Sequence, residues 1–477
     1  MRVLIANRGE IALRICRTVQ HLGHQAIAVF HTEDRAAPFV EAADDAAELN
    51  GEAPAAAYLD IDQIVALARR HKADAIHPGY GFLSENAEFA RVVVDAGMCF
   101  IGPAPEVIET MGDKMRAREL AHELGISVLS TVRLEDHTIE YPLLIKAAAG
   151  GGGKGMRLVR SAGELEALRE AATSEAARYF GDGRVYLERY IEQARHIEIQ
   201  VFGDGQGGAL HLGERDCSIQ RNYQKIVEES PAFGLNDSIR DAMCDAAIQL
   251  VKATGYAGAG TVEFLFAPDG AFYFLEMNTR LQVEHPVTEC VTGLDLVELQ
   301  IEVARTGQLP ISQDQVRFSG HALEVRVCAE DPDQGFRPST GDLLRYVEPV
   351  GEGIRFDSGV KEGQAITASF DSMLAKLIVQ GRDRDESIAK ASEALADLVM
   401  LGVTTNVNYL QRLITLEAFA EAPPRTGFLS ENADKLAAPE LSQEVRDTVL
   451  IAALLGTRDA KRLHEAVTNI GRGTWPN

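Results

Sequence analysis

Two glutamates on neighbouring predicted strands have the residue type and spacing of a divalent-cation site. Residues 261–266 and 271–277 are rich in β-formers and flank the turn sequence Ala-Pro-Asp-Gly, which predicts a hairpin. A loop of two or of four residues fits, and in either register Glu263 and Glu276 project from one face. Their carboxylates then lie within roughly 5 to 8 Å of each other. Mg²⁺ takes oxygen ligands and is usually held by one or two carboxylates plus substrate phosphates, so it is the simplest partner for this pair.

The polar pattern continues past the second strand. Asn278 keeps the face of Glu276 and adds a neutral oxygen, and a guanidinium, an amide and a further carboxylate follow within residues 279–286. A solvated sheet face is the alternative interpretation for such glutamates. Phe264 and Phe274 flank the acids, however, and favour a buried hairpin, in which paired acids require a cation.

A glycine-rich stretch supplies a second kind of chemistry. Residues 143–159 consist of an apolar strand containing Lys146, a run of glycines followed by Lys154, and a second apolar strand. A P-loop would lead into a helix, and this stretch does not. It predicts a flexible hairpin whose backbone amides close over a polyphosphate, with the lysines supplying positive charge. A plain linker is the alternative.

The elements that must position these groups fall into three regions. Short apolar strands at residues 3–6, 26–30, 73–77 and 99–101 alternate with helical segments, which predicts a doubly wound, Rossmann-like α/β domain. Beyond residue 318, alternating strands and a helix over residues 386–400 predict a mixed α+β domain. Between them, the charged run 214–225 indicates a solvated segment or an anion-binding loop.

Composition excludes several classes of protein. The net charge of −24, with 47 basic against 71 acidic residues, argues against nucleic acid as a main partner. The six cysteines form no CxxC pair, which is typical of a reducing compartment and not of a disulfide framework or a zinc site. No signal sequence and no apolar run of roughly 18 residues is found. We therefore expect a cytoplasmic protein, or a mature organelle form, without a membrane partner.

Several long motifs, in order, resemble biotin carboxylase, a family of the ATP-grasp superfamily. They are residues 7–12 (NRGEIA), 77–86 (HPGYGFLSEN), 214–218 (ERDCS) and 276–286 (EMNTRLQVEHP). The resemblance covers residues 1 to about 440. It implies an N-terminal domain over 1–112, an ATP-grasp domain over 113–317 with a glycine-rich lid at about 127–190, and a C-terminal domain over 318–440, followed by a helical tail over 441–477.

The resemblance also implies roles for individual residues. ATP would be contacted by Lys114, Lys146, Gly152, Gly153, Glu188, Ile191 and His196, and Mg²⁺ or Mn²⁺ by Glu263, Glu276 and Asn278. Bicarbonate would be held by Lys225, Arg280, Gln282, Val283 and Glu284, with Glu284 as the base. Arg326 would stabilise the enolate-like oxygen of biotin, and Tyr80 and Gly81 would line the biotin edge. The family usually has histidine and proline where this chain has Tyr223 and Phe233.

The implied reaction is the carboxylation of carrier-bound biotin through carboxyphosphate, the first half-reaction of a carboxylase of the acyl-CoA type. No Met-Lys-Met biotinylation motif is found, so we expect the carrier on another protein or on a longer form of this chain. A carboxyltransferase partner and a homodimer are further implications. Two alternatives are another ATP-grasp ligase, of the carboxylate-amine or carbamoyl-phosphate type, and a non-catalytic nucleotide-binding subunit.

Overall fold

A parallel sheet at the N-terminus brings two loops to one edge, and the first of these loops leads into the first helix. The computed structural model describes residues 1–133, 139–148, 155–439, 443 and 447. Asn7 follows the first strand, and its Nδ2 donates to the carbonyls of Pro78, at 2.7 Å, and Tyr80, at 2.8 Å. The strands, in spatial order, are Asp45–Leu49, Gln25–His31, Arg2–Ile5, Ala75–His77 and Cys99–Phe100. The helices are Gly9–His21, Pro38–Ala42, Pro54–Ala57, Ile61–Arg70, Ala87–Asp95 and Pro105–Gly112.

The predicted Rossmann-like domain is therefore present, with one parallel strand more than the sequence indicated. Residues 45–49 were not recognised because Asp45 and Glu48 interrupt the apolar pattern at the edge of the sheet. The apolar faces of the helices pack on both sides of the strands, in two clusters of buried side chains.

An antiparallel sheet of eight strands forms the centre of the molecule. It begins with the predicted hairpin and continues without interruption into strands that follow residue 320. A long helix, Asp237–Thr254, covers one face and buries Met243, Leu250 and Val251. In spatial order the strands are Phe272–Asn278, Ala257–Phe266, Arg195–Asp204, Ala209–Arg221, Gln224–Ser230, His321–Cys328, Met373–Gly381 and Ile354–Ser358.

A separate sheet of four strands carries the segment in which the glycine-rich lid was predicted. The glycine run itself, with Gly152 and Gly153, lies outside the described residues. The strands, in spatial order, are Thr131–Val132, Val185–Arg189, Leu143–Ala147 and Arg157–Val159, and the flanking helices are Lys114–Glu123 and Ala162–Phe180.

The remaining helices cover the central sheet, and short strand pairs lie beside it. The predicted helix over residues 386–400 is shorter than expected: it spans Arg384–Asp397, and Val399–Leu401 forms a strand instead. The predicted tail lies outside the described residues apart from 443 and 447. The helices are His285–Thr292, Leu296–Thr306, Val407–Ile414, Glu417–Glu421, Phe428–Glu431 and Ala433–Leu436, with 3₁₀ turns at Thr32–Asp34, Gln313–Gln315 and Pro332–Gln334. The strand pairs are Glu330–Asp331 with Arg337–Pro338, Gly341–Asp342 with Ala365–Ile366, and Arg345–Val347 with Val399–Leu401.

Over most of their length, residues 214–225 are neither the solvated segment nor the loop that the sequence indicated. Most of this run lies inside the strand Ala209–Arg221, where Glu214, Arg215 and Asp216 are buried and form ion pairs with Arg240, Glu198 and Arg195, respectively. All six cysteines carry free thiols, three of them fully buried. Among the described residues, no helix is both long and apolar enough to cross a bilayer.

Candidate active site

A cavity of about 830 Å³ lies where the N-terminal loops, the hairpin and the strands beyond residue 320 converge. Its lining includes both the predicted metal ligands and the basic residues that the sequence analysis identified. Of the predicted site residues, it includes Tyr80, Gly81, Lys114, Lys146, His196, Lys225, Glu263, Glu276, Asn278, Arg280, Gln282, Val283 and Arg326.

The two acids of the hairpin face each other as predicted, in the directly opposed register. Each carboxylate is held by a lysine from a different element: Lys225 Nζ lies 2.9 Å from Glu263, and Lys114 pairs with Glu276. Burial opposes ionisation of Glu263, but Lys225 and His196 outweigh it and hold the pKa of this carboxyl well below its ordinary value. The opposed carboxylates and the Asn278 amide present oxygen ligands to the cavity, which is the donor set that Mg²⁺ prefers.

Lys225 lies at the centre of an acidic cluster beneath the cavity. Its ammonium donates to Glu263, to Glu284 and to Glu198. Burial alone would lower the pKa of Lys225, yet these three carboxylates raise it well above its ordinary value. The lysine is therefore a permanent cation at the floor of the site.

Glu284 is fully buried and lies between two cations. It precedes the helix His285–Thr292 and receives Lys225 on one oxygen and Arg326 Nη2, at 3.1 Å, on the other. Burial would raise the pKa of Glu284, but Lys225, Arg326 and Arg215 hold it far below its usual range. Glu284 is thus ionised and enclosed by protein between two cations.

Arg326 reaches the cavity from the strand His321–Cys328. Its Nε donates to Glu228 Oε1 at 2.6 Å while Nη2 contacts Glu284, so the guanidinium is oriented from two sides. Burial opposes its charge, but Glu228 and Glu284 raise the pKa of Arg326 above its ordinary value. A rigid guanidinium of this kind binds planar anions with defined geometry.

Arg280 lies on the opposite side of the cavity and forms hydrogen bonds within the segment that follows the hairpin. Its Nε donates to Glu85 Oε2 at 2.8 Å, and its terminal nitrogens donate to Gln282 Oε1 and Asn278 Oδ1, both at 3.1 Å. Glu85 comes from the N-terminal loop and also accepts from the Thr279 amide at 3.2 Å. The contacts of Glu85 with Thr279 and Arg280 therefore connect the N-terminal domain to the segment that carries the predicted metal ligands.

On the side of the lid, Lys146 and Arg118 enclose the carboxylate of Glu188. Lys146 Nζ lies 3.0 Å from Glu188 Oε2, and Arg118 pairs with the other oxygen. Burial, together with the charges of Lys114 and Arg118, lowers the pKa of Lys146 well below its ordinary value. An anionic phosphate at this position would stabilise the charged form of Lys146.

Three predicted residues in the described part of the chain do not line the cavity. Glu188 and Glu284 are buried behind it and act on lining cations. Ile191 is half-buried and lies away from the lining, and Gly152 and Gly153 fall outside the described residues.

Tyr223, which departs from the usual family residue, lies at the cavity wall in an unusual conformation. It and Asn222 have φ values of +65° and +49° in the turn between the strands Ala209–Arg221 and Gln224–Ser230. Two consecutive positive φ values define a turn that suits tight antiparallel hairpins. An aromatic residue seldom has a positive φ, so the turn imposes this conformation on Tyr223. The turn thereby places Tyr223 on the cavity lining.

Sequence reasoning missed the buried groups that support the site. Glu198, Arg215 and Glu228 are fully buried, and the Arg215 guanidinium donates to Glu198 Oε1 at 2.6 Å. Glu198 lies on a strand in which polar and apolar residues alternate, and Arg215 and Glu228 stand beside other charged residues; both patterns ordinarily indicate solvated positions. The available signal was the density of acids and bases on three successive strands, which sequence alone does not bring into register.

Comparisons with known proteins agree with this geometry along the chain. Residues 1–108 match the family model for the biotin carboxylase N-terminal domain, residues 113–312 that for the carbamoyl-phosphate synthase L chain ATP-binding domain, and residues 324–431 that for the biotin carboxylase C-terminal domain.

Individual relatives extend over most of the chain. A biotin carboxylase from Nostoc sp. is 47% identical over 440 residues, covering 90% of this chain and 98% of the relative. The mitochondrial methylcrotonoyl-CoA carboxylase subunit alpha of Dictyostelium discoideum is 42% identical, covering 95% of this chain and 66% of the relative.

Solved structures give the same result. The biotin carboxylase domain dimer of Hydrogenobacter thermophilus 2-oxoglutarate carboxylase, in complex with MgADP, ADP and bicarbonate, matches with a TM-score of 0.89 at 42% identity, over 92% of this chain and 99% of that one. With all three domain models matched in order and relatives of this identity aligned over nearly their full length, the chain belongs to the biotin carboxylase family.

Proposed function

We propose that this protein uses ATP and bicarbonate to carboxylate biotin attached to a carrier. The observation that carries the proposal is the ionised Glu284, enclosed between Lys225 and Arg326 at the floor of a cavity that Arg280 also lines. Bicarbonate is a planar anion, and a guanidinium grips such an anion bidentately. A neighbouring carboxylate can take its proton only where cations offset the repulsion between the two negative groups.

In the proposed mechanism, the chain's own groups position the substrates and move one proton. Arg280, Gln282, Val283 and Lys225 hold bicarbonate, and Glu284 accepts its proton as it attacks the terminal phosphate of ATP. The attack expels ADP and gives carboxyphosphate, which breaks down to CO₂ and phosphate beside biotin. The released phosphate takes the proton of the biotin ureido nitrogen, which then attacks CO₂, and Arg326 stabilises the negative charge that develops on the ureido oxygen. Positioning and electrostatic stabilisation supply most of the rate in such reactions.

Glu263, Glu276 and Asn278 would hold Mg²⁺ or Mn²⁺, since their oxygens face the cavity. The ion would neutralise the charge of the ATP phosphates. In its absence Lys225 and Lys114 neutralise the two acids, so metal binding requires these ammonium groups to turn toward the anionic substrates.

ATP itself would lie between the lid and the hairpin. Lys114, Lys146 and His196 line that part of the cavity, and Glu188 orients Lys146 from behind. Gly152, Gly153 and Ile191 would complete the nucleotide contacts, and Tyr80 and Gly81 would form the biotin edge.

The partners follow from the same proposal. The substrate is a biotin carrier protein or domain, and a carboxyltransferase uses the carboxybiotin, with an acyl-CoA as the acceptor class. We further propose a homodimer in the cytoplasm; the matched Hydrogenobacter domain is a dimer.

Two other functions share part of the site. Another ATP-grasp ligase would need the ATP and metal residues, but not the group of Arg280, Gln282, Glu284 and Arg326 around one anion site. A non-catalytic subunit would be expected to lack one of these charged groups, and each is present in the sequence.

The deciding experiment is ADP release by the purified protein with ATP, Mg²⁺ and bicarbonate, with and without free biotin. We expect stimulation by biotin that disappears when bicarbonate is omitted. Release driven by an amine or another carboxylate would support a different ligase, and ATP binding without turnover would support the non-catalytic subunit.

A further inference from the structure

One buried lysine stands outside the residues assigned so far, although it contacts two of the loops that form the cavity. Lys376 lies in the strand Met373–Gly381 and is fully buried. It pairs in register with Arg326 on one neighbouring strand and with Asp357 on the other. Burying an ammonium is costly unless it is paired and hydrogen-bonded, so its contacts define its role.

Those contacts connect the proposed bicarbonate loop with the proposed biotin edge of the cavity. Lys376 Nζ donates to the carbonyl of Val283, in the bicarbonate loop, at 2.7 Å. The same nitrogen lies 3.4 Å from Glu10 Oε1 and 5.9 Å from the ring centroid of Tyr80. The Tyr80 hydroxyl donates to that same oxygen of Glu10, whose other oxygen is buried without a hydrogen-bond partner in the structure.

We propose that Lys376 is a positioning residue that couples the biotin edge of the cavity to the bicarbonate loop through Glu10 and Tyr80. The inference rests on the proposed function. Lys376 touches neither substrate; it divides its ammonium between the Val283 carbonyl and the Glu10 carboxylate. The groups that hydrogen-bond to the Glu10 carboxylate therefore determine how strongly Lys376 holds the Val283 carbonyl, and with it the bicarbonate loop.

Because the Val283 carbonyl and the Glu10 carboxylate compete for the Lys376 ammonium, two conservative substitutions should have different effects on the bicarbonate loop. In Tyr80→Phe, Glu10 loses the hydroxyl that occupies its oxygen and draws the ammonium away from Val283, so the bicarbonate loop loosens. In Glu10→Gln, the competing charge is gone and the ammonium stays with the Val283 carbonyl. A purely structural role for these side chains would instead weaken the site in both variants.

The test is the KM for bicarbonate in the biotin-independent release of ADP, so that the lost contact of Tyr80 with biotin does not enter. Burial raises the pKa of Glu10 to about 7, against the lowering effect of Lys376, so the assay is buffered about one unit above that value. We expect Tyr80→Phe to raise the KM for bicarbonate roughly fivefold, because the hydrogen bond from the Lys376 ammonium to the Val283 carbonyl is weakened but not lost. Glu10→Gln should leave it unchanged or lower, and the KM for ATP should stay the same in both.

Tyr346→Phe is the matched control. It removes a hydroxyl that lies 2.9 Å from Glu348 Oε1 and 2.6 Å from Ser358 Oγ; none of these residues lines the cavity, so the variant should change neither constant. An equal rise of the bicarbonate KM in both Tyr80→Phe and Glu10→Gln, or no change in either, would overturn the coupling. If the unmodified protein shows no bicarbonate-dependent ADP release at all, the proposed function fails, and the coupling fails with it.

Discussion

Replacing Arg326 with methionine tests the assignment of the biotin oxyanion most directly. Methionine keeps much of the volume of the side-chain stem and removes the guanidinium. The structure shows what is lost: the Nε contact with Glu228 at 2.6 Å, the Nη2 contact with Glu284 at 3.1 Å, and the positive charge on the cavity wall.

The expected size of the effect has a kinetic and a structural part. Losing one preorganised donor to a developing oxyanion costs about 10² to 10³ in kcat. Breaking a buried ion pair commonly costs about 3 to 5 kcal/mol of stability when a charge is left unpaired. Burial already raises the pKa of Glu228 to about 7, with Arg326 opposing the rise, so in the variant Glu228 takes up a proton at neutral pH. The loss of stability should therefore fall below that range, and the variant should fold.

Turnover is measured as biotin-stimulated ADP release, and ATP affinity by titration calorimetry. We expect the rate to fall as stated while ATP affinity is unchanged, because Lys114 and Lys146 lie on other elements, the helix Lys114–Glu123 and the strand Leu143–Ala147. Arg345→Met serves as the control, since this arginine is exposed and pairs with the exposed Glu362 at 3.1 Å. Near-normal turnover in Arg326→Met, or a matching loss of ATP affinity, would refute the assignment.

Three further predictions concern the acids and the lid. Glu276→Gln should abolish metal-dependent ADP release by removing one of the two opposed carboxylates, and turnover that keeps its normal Mg²⁺ dependence would contradict the metal assignment. Lys146→Met should weaken ATP binding about tenfold or more in calorimetry, because the phosphates then lose the cation that Glu188 orients toward them; unchanged affinity would place the phosphates elsewhere. Glu228 has a folded pKa near 7, above its usual 4.5, so the folded state holds the extra proton between these values and loses stability as pH rises through them. Glu228→Gln should remove this loss, worth about 3 kcal/mol at most, and denaturant titrations with equal pH slopes for both proteins would disprove it.

The sequence predicted the elements whose pattern is local. The hairpin around Glu263 and Glu276 was found because β-formers flank a strong turn signal, and the opposed register lies within the range that the turn allowed. The N-terminal parallel sheet was found from its apolar runs. The helix after residue 384 was overextended because Leu398 and Met400 continue an apolar pattern, although Val399–Leu401 pairs with Arg345–Val347.

What sequence could not predict depends on pairing across long separations. Glu228 and Glu324 face each other on adjacent strands, yet nearly a hundred residues separate them in the chain. Nothing local distinguishes a buried glutamate of this kind from a solvated one, because the cations that neutralise it come from other strands. The same holds for Lys376, whose partners Glu10 and Val283 lie in different regions of the sequence.

The pairing of Gln224–Ser230 with His321–Cys328 has a consequence for folding and for dissection of the chain. The central sheet passes through this pair without a break, so the segments on either side of residue 320 share one set of hydrogen bonds and one buried charge network. A fragment that ended there would expose a strand edge carrying Glu228 and Glu229, with the arginines that neutralise them removed. The family models divide the chain near residue 320, but the central sheet and its buried charges continue across this boundary, and residues 1–436 form one compact unit. We therefore expect the floor of the cavity to form only when the strands beyond residue 320 are present.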